Sequence, residues 1–321
     1  MTTAHDPTAE ANEKLGDGVS ARTLEPGRPA NTDPAFFADD PATVGARDGS
    51  VIVTPTSGGD RTWHDIVAER PELAEWAAER WLANRAQLSA VPAGYPIARN
   101  GYHRLAYGLV AEARRLANTK FGLRFTRGGF GTPFFGDDEQ VRVEHGRLVH
   151  QKADAADSID ITTLRAAADF LGIEPGTEAG EHDSPPLGDY DVDLGTTPET
   201  GEFLAAWFGF SWSVLEELRL TPGAADVDRT QLWPGHFDPA IAMGDADSGG
   251  RATYGASPGD EGHDEPYLYV GAWGDVDRTD SYWNETTFNG ASMTYQELLA
   301  AADPIAAATK FFRGGYARLT T

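Results

Sequence analysis

The chain has 321 residues, 50 acidic against 26 basic side chains, and a formal net charge of −24. Hydrophobic residues make up 40%, including 8 Trp, 10 Tyr and 15 Phe, a globular composition able to bury a substantial core. The acid excess, with no basic patch, argues against nucleic acid, and the lack of cysteine excludes disulfides, thiolate metal sites, iron–sulfur clusters and cysteine nucleophiles.

No apolar run approaches the roughly 18 residues of a membrane span, so no membrane association is expected. The first 18 residues lack a basic start and an apolar core, so no signal peptide is expected and the cytoplasm is the default location. The acidic surface reads as a device for solubility or salt adaptation rather than as a site for a basic partner.

Residues 1–61 are rich in Gly, Pro, Ala, Thr and Asp without sustained period, and are predicted to be a disordered acidic tail. A single α+β domain is predicted over 62–321, with a soft sub-boundary in the breaker-rich acidic stretch 174–197. Amphipathic spacing predicts helices over 71–88 and 102–118. The pattern then turns to period two, predicting strands over 121–125, 140–144 and 148–150, with a tight turn at Gly146-Arg147. The glycine-rich segment 127–136 reads as a wide connection between the first two strands. Thr162 or Thr163 is positioned to cap a helix closed by Gly172. The segment 198–220 carries apolar residues nearly all round its first half, as a helix at the centre of a core does. Strands are predicted over 231–233, 237–243, 252–254 and 267–270, with a long loop over 274–291 and closing helices over 294–302 and 304–313. Strands in two groups, without regular β–α alternation, favour α+β with antiparallel sheet.

The stretch 231–273 concentrates the chemistry-bearing residues. His236 precedes Asp238 by two, so on one strand both side chains would face the same way, as a carboxylate-oriented general base requires. If Asp260 and His263 converge on this pair, two imidazoles and two carboxylates make a divalent-metal set. The same acids also read as a solvated loop, and His236 as a structural histidine between Trp233 and Phe237. Gly255-Ala-Ser257-Pro-Gly259 matches the letters of a hydrolase nucleophile elbow, but Pro258 removes the N–H that would build half of the oxyanion hole. A turn explains it better. His103 lies near an apolar helix face and reads as a core histidine. The glycines after Arg127 suggest a phosphate loop, yet no Lys-Ser/Thr pair follows. They suit a wall or lid over an apolar pocket better. The pairs Tyr267/Tyr269 and Tyr282/Trp283, with Trp273, are candidates to line a site for an apolar or sugar-like ligand.

Gly-Gly-Phe-Gly-Thr-Pro (128–133), Leu-Trp-Pro-Gly-His-Phe-Asp (232–238), Gly-Ala-Ser-Pro-Gly-Asp (255–260) and Pro-Tyr-Leu-Tyr-Val-Gly (266–271) resemble the landmarks of an uncharacterised family of actinobacterial proteins. The C-terminal half is similar, more distantly, to a bacterial domain of unknown function with a Phe-Asp strand, an aromatic strand and two closing helices. The resemblance covers about residues 70–316. It implies that the four motifs belong to one folded unit, and it implies no activity.

The leading expectation is therefore a protein that binds a small molecule, and whose being an enzyme stays open. Its pocket is expected between the 128–136 loop and the 231–273 stretch. Arg127, Gly129, Phe130, Tyr254 and Tyr267 are the expected ligand contacts, and His236 and Asp238 the expected reactive pair. Two alternatives stay open: an interaction or structural protein without a catalytic site, and a metal-dependent hydrolase built on His236, Asp238, Asp260 and His263.

Overall fold

The computed structural model describes residues 52–56, 59–62, 88–126, 128–132, 139–152, 155–180, 184–219, 221–228 and 230–320. The tail predicted over 1–61 and the helix predicted over 71–88 fall almost wholly outside these residues. The exception in the tail is a short antiparallel hairpin, β1 (Ile52–Thr56) and β2 (Gly59–Thr62). Among the described residues no helix is long and apolar enough to cross a membrane.

Helix α1 (Tyr95–Leu105) runs through one π-helical turn (Ala106–Val110) into α2 (Ala111–Asn118). It begins at Tyr95, not at the predicted residue 102. Gly94 adopts a left-handed φ of 72° at the N-cap, and Pro96 sits in the first turn, where its missing N–H costs nothing. A five-stranded antiparallel meander follows: β3 (Arg124–Thr126), β4 (Gly129–Gly131), β5 (Glu139–Glu144), β6 (Arg147–Lys152) and β7 (Ala155–Asp160). Strand β4 was expected to be a connection, and β7 was not expected. In Gly-Phe-Gly one face of the strand carries no side chains, and in Ala-Ala-Asp-Ser-Ile-Asp both faces are mostly exposed, so neither shows an apolar alternation. The β5–β6 turn is His145-Gly146, with φ of 51° and 74°, the two left-handed residues that a tight hairpin needs. Thr163 caps α3 (Leu164–Leu171) by accepting the Ala166 N–H at 3.0 Å, and Gly172 closes it at φ 69°.

The long helix α4 (Pro198–Arg219) leads into a second antiparallel meander. Its strands are β8 (Gln231–Trp233), β9 (Asp238–Met243), β10 (Ala252–Ser257), β11 (Tyr267–Ala272) and β12 (Gly290–Thr294). Helix α5 (Tyr295–Ala300), opened by a Thr294/Glu297 capping box, and α6 (Pro304–Thr320) end the chain. The protein is α+β, with helices packed on antiparallel sheet.

Both sheets cover the same helix. Trp207, Phe208, Trp212, Val214 and Leu215 of α4 are fully buried, and α4 packs on β3, β4, β9, β10, α1 and α6. The sheets also meet edge to edge. Leu123 and Leu232 exchange backbone hydrogen bonds of 2.8 and 3.0 Å, so β3 and β8 form a seam. Both leucines are buried in the core. Alternation therefore sends their neighbours Arg124 and Gln231 to the opposite, polar side of the joined sheets.

The Leu-Trp-Pro-Gly-His-Phe-Asp motif turns from β8 into β9, as the break between the strands predicted over 231–233 and 237–243 requires. Residues 234–237 make the bend, and Trp233 pairs with Asp238. Phe237 is held at φ 59°, a backbone state that costs a non-glycine residue about 1–2 kcal/mol. The stabilisation that offsets this is packing: its ring is fully buried, stacked 5.2 Å from His103 and edge-on to Phe130 at 4.9 Å and Phe208 at 5.2 Å. His103 fulfils its expected core role in a specific way. Its Nε2 lies 3.0 Å from the Pro234 carbonyl and 2.9 Å from that of Gly235, and two acceptors require that nitrogen to carry the proton. Replacing His103 with Phe keeps the stacked ring but removes the donor to buried carbonyls. It should lower unfolding free energy by about 1–3 kcal/mol in chemical denaturation, whereas unchanged stability would refute the clamp.

Candidate functional site

Alternation along β11 builds the site. Leu268 and Val270 are fully buried on the core face, so Tyr267 and Tyr269 stand on the polar face. Tyr269 lies opposite Gly255 of β10, which lies opposite Ala240 of β9. A Cβ on Gly255 would come within 2.4 Å of the Tyr269 ring and hydroxyl. The ring thus lies flat across the glycine and reaches β9, where its hydroxyl donates to Asp238 Oδ2 at 2.5 Å. Tyr267 donates to Asp260 Oδ2 at 2.6 Å. Burial foremost, then the Asp260 hydrogen bond and charge, holds the Tyr267 phenol far above its ordinary value, so it remains a donor at neutral pH.

The loop after β10 is bound to helix α1. The Tyr95 hydroxyl donates to Pro258 O at 2.7 Å, and the buried Arg99 guanidinium donates to His263 O at 3.2 Å and Asp260 O at 3.4 Å. Gly259 takes φ 103°, and a Cβ there would strike Arg99 at 2.3 Å. Asp260 Oδ1 accepts the N–H groups of Gly262 (2.7 Å) and His263 (2.9 Å). Ser257 Oγ accepts the Gly259 N–H at 3.0 Å, a turn contact, as expected of Ser-Pro-Gly. His263 lies between two carboxylates, with Nδ1 3.3 Å from Asp260 and Nε2 3.9 Å from Glu285, and its ring centroid is 4.3 Å from that of Tyr267. Glu285 in turn accepts from Ser292 of β12 at 2.5 Å and from Thr287 at 3.1 Å. Its carboxyl is affected first by burial, which raises the pKa, but the Ser292 and Thr287 hydroxyls and the His263 charge outweigh this and bring it below 4.5.

The residues expected to act together are distributed as follows. Asp260, His263 and Tyr267 form one polar group, and Asp238 forms a second with Tyr269, whose ring centroid lies 6.2 Å from that of Tyr267. His236 is exposed in the β8–β9 turn, and the strand alternation that would align it with Asp238 is broken at Phe237. Among the described residues no group of three or more His, Asp and Glu side chains is placed to hold a metal ion. Tyrosine hydroxyls occupy the carboxylate oxygens that the expected quartet would have offered. Phe130 and Tyr254 are buried in the core, Phe130 among Tyr102, Phe208 and Phe237 and Tyr254 against Phe312. Gly129 is buried in β4, and Arg127 lies outside the described residues. Two clefts among the described residues lie elsewhere. One of about 570 Å³ is lined by Ser89, Pro92, Thr197, Glu199 and Phe203, and one of about 440 Å³ by Arg165, Leu187 and Tyr190. Neither includes a residue of β9–β11; the first has no tyrosine in its lining, and the second sets Tyr190 beside Asp189, Asp191 and Arg165.

Sequence reasoning named Tyr269 among the candidate lining residues, but did not place Gly255, Glu285 or Arg99 in the site. Tyr-Leu-Tyr-Val puts Tyr267 and Tyr269 on one face, which is what made that pair legible. The role of Gly255 depends on a neighbouring strand, and Arg99 acts across more than 160 residues of chain. The polar face continues over the seam onto the first sheet, where buried Arg142 pairs with Glu144 at 2.7 Å and donates to Gln151 at 2.6 Å. Burial lowers the neighbouring Arg124 to about 10.

Aromatic residues of the later loop divide by face. Tyr282 donates to Phe311 O of α6 at 2.8 Å and Trp283 is buried, so this pair serves packing. Trp273 is 61% exposed at the end of β11. Comparisons with protein-family models, curated proteins and solved structures return no match.

Two outcomes follow from this geometry. Gly255→Ala should destabilise the protein by about 1–3 kcal/mol through displacement of the Tyr269 ring, and a double-mutant cycle with Tyr269→Phe should show coupling. Additive losses would refute the contact. Because the Glu285 carboxyl is depressed in the folded chain, its contribution is present above its unfolded value of 4.5 and is lost as pH falls through the lower folded value. Glu285→Gln should therefore flatten the acid limb of the stability profile, and an unaltered limb would sink that account.

Proposed function

We propose that this protein binds a small polar ligand on the polar face of β9–β11, in the cytoplasm, where a cysteine-free acidic chain is at home. The observation that carries the reading is the pair of adjacent tyrosine–carboxylate contacts, Tyr269–Asp238 and Tyr267–Asp260, on strands that a glycine keeps open between them. The carboxylates take the phenol protons, which leaves the phenol oxygens to accept from a ligand, and the aromatic rings supply apolar area. That mixture suits a hydroxyl- or amine-bearing molecule better than a phosphate-rich one.

One observation favours a structural alternative. Asp260 spends both oxygens on Tyr267 and on the amides of its own loop, which is what a loop organiser does. The two readings separate on Asp238. Thermal shifts of the full chain across polyols, sugars, amines and small acids should yield at least one stabilising compound, by about 2.7 kcal/mol at a hundredfold excess over its dissociation constant. Asp238→Asn should weaken that compound at least tenfold while the protein still unfolds cooperatively. If no compound shifts the transition, the ligand reading fails and the network serves the fold alone.

A further inference from the structure

Trp273 is exposed and yet immobilised. Its indole Nε1 donates to Thr253 Oγ1 at 3.0 Å, its backbone N–H donates to Arg251 O at 3.0 Å, and the Arg251 guanidinium sits 4.9 Å from the ring centroid. Arg251 is itself fixed by Asp228 at 2.7 Å and by the Asp226 carbonyl at 2.7 Å. Thr253 pairs with Gly271, two residues from Tyr269, so Thr253 and Gly271 both belong to the polar face and the indole is laid along it. Beside the indole the floor is bare. A Cβ on Gly271 would meet nothing nearer than Thr253 O at 4.0 Å. On the far side, Gly290 lies beneath the Phe288 ring, which is edge-on to Tyr269 at 6.2 Å. Gly271 thus floors an open strip of this face, the trough, between the exposed indole and the Phe288–Tyr269 pair. The surrounding loop is stiffened by Asn289, whose amide donates to Gly274 O at 2.7 Å, and by Arg278, which donates to Glu285 O at 2.7 Å.

We infer that the ligand of this face is a neutral sugar whose ring stacks on Trp273 beside Gly271, with its hydroxyls directed toward the phenol oxygen of Tyr269, which Asp238 holds in place. This rests on the small-ligand reading above and names its substrate class. A pyranose presents a C–H face to an aromatic plane and a rim of hydroxyls to an accepting phenol oxygen, and the trough offers both at once. Immobilising the indole in advance removes the ordering cost that a mobile exposed tryptophan would bring to binding. An anion is disfavoured, since Arg251, the cation against the indole, is already paired with Asp228.

The test is titration of the full chain with glucose, galactose, mannose, xylose, N-acetylglucosamine, cellobiose and maltose, read by tryptophan emission and by calorimetry. At least one of these sugars should saturate both signals. Trp273→Ala should weaken that sugar tenfold or more, Trp273→Phe should retain part of the affinity, and Gly271→Val should weaken it by filling the floor. Melting curves should show all three variants folded, because Trp273 is exposed and the space over Gly271 is open. Absence of binding by every sugar overturns the inference, as does a sugar that binds Trp273→Ala as well as the parent chain. A non-sugar ligand lost in Asp238→Asn but indifferent to Trp273→Ala would leave the small-ligand reading standing and remove the sugar. A sugar lost in Trp273→Ala but unaffected by Asp238→Asn would support the stacking platform and separate it from the tyrosine–carboxylate pair.

Discussion

A helix that is apolar on nearly all sides has to be covered on all sides, and α4 sets that requirement for the whole chain. With Trp207, Phe208, Trp212 and Leu215 fully buried, no single sheet could shield it. Two meanders do so, joined at the Leu123–Leu232 seam, with α1 and α6 filling the remaining directions. Once the core face of the joined sheets is committed to α4, alternation leaves no freedom about the other face. Arg124, Arg142, Asp238, Tyr267 and Tyr269 stand on it because their neighbours must stand on the first.

The site follows from that partition and from a few positions where side chains are missing. Gly255 allows a tyrosine ring to lie across β10, Gly271 leaves a gap in the surface, and Gly259 lets Arg99 hold the loop that presents Asp260. For Gly255 and Gly259 the role of the glycine lies in the space its absent Cβ leaves to a residue distant in sequence. The aromatic and acidic residues around these gaps form a chain of contacts from Asp238 through the two tyrosines to Asp260, His263 and Glu285, so the loops on either side of β11 are tied to one another above the strand.

Much of this was legible from residue patterns. The central position of α4, the Thr163 cap with its Gly172 stop, the period-two strands of β5 and β11, the Ser-Pro-Gly turn and the core role of His103 all follow from local spacing and local chemistry. The failures were local too. Gly-Phe-Gly was read as a connection because a strand with glycines on one face has no alternation to detect. His236 and Asp238 were expected to align because their spacing suits a strand, whereas Phe237 adopts a left-handed backbone that only its burial against His103, Phe130 and Phe208 stabilises.

The sequence by itself determined fold class, the central helix and the choice of 231–273 as the stretch where polar and aromatic chemistry concentrates, since periodicity and composition are properties of neighbouring residues. Only the tertiary structure decided which members of that stretch meet. Asp238 reaches Tyr269 over a glycine of an intervening strand, Asp260 is set by an arginine from α1, and His236 is turned out to solvent by a backbone twist one residue long. Those outcomes depend on strand register, on the side of the sheet that faces α4, and on contacts between segments far apart in the chain, which one-dimensional spacing does not contain.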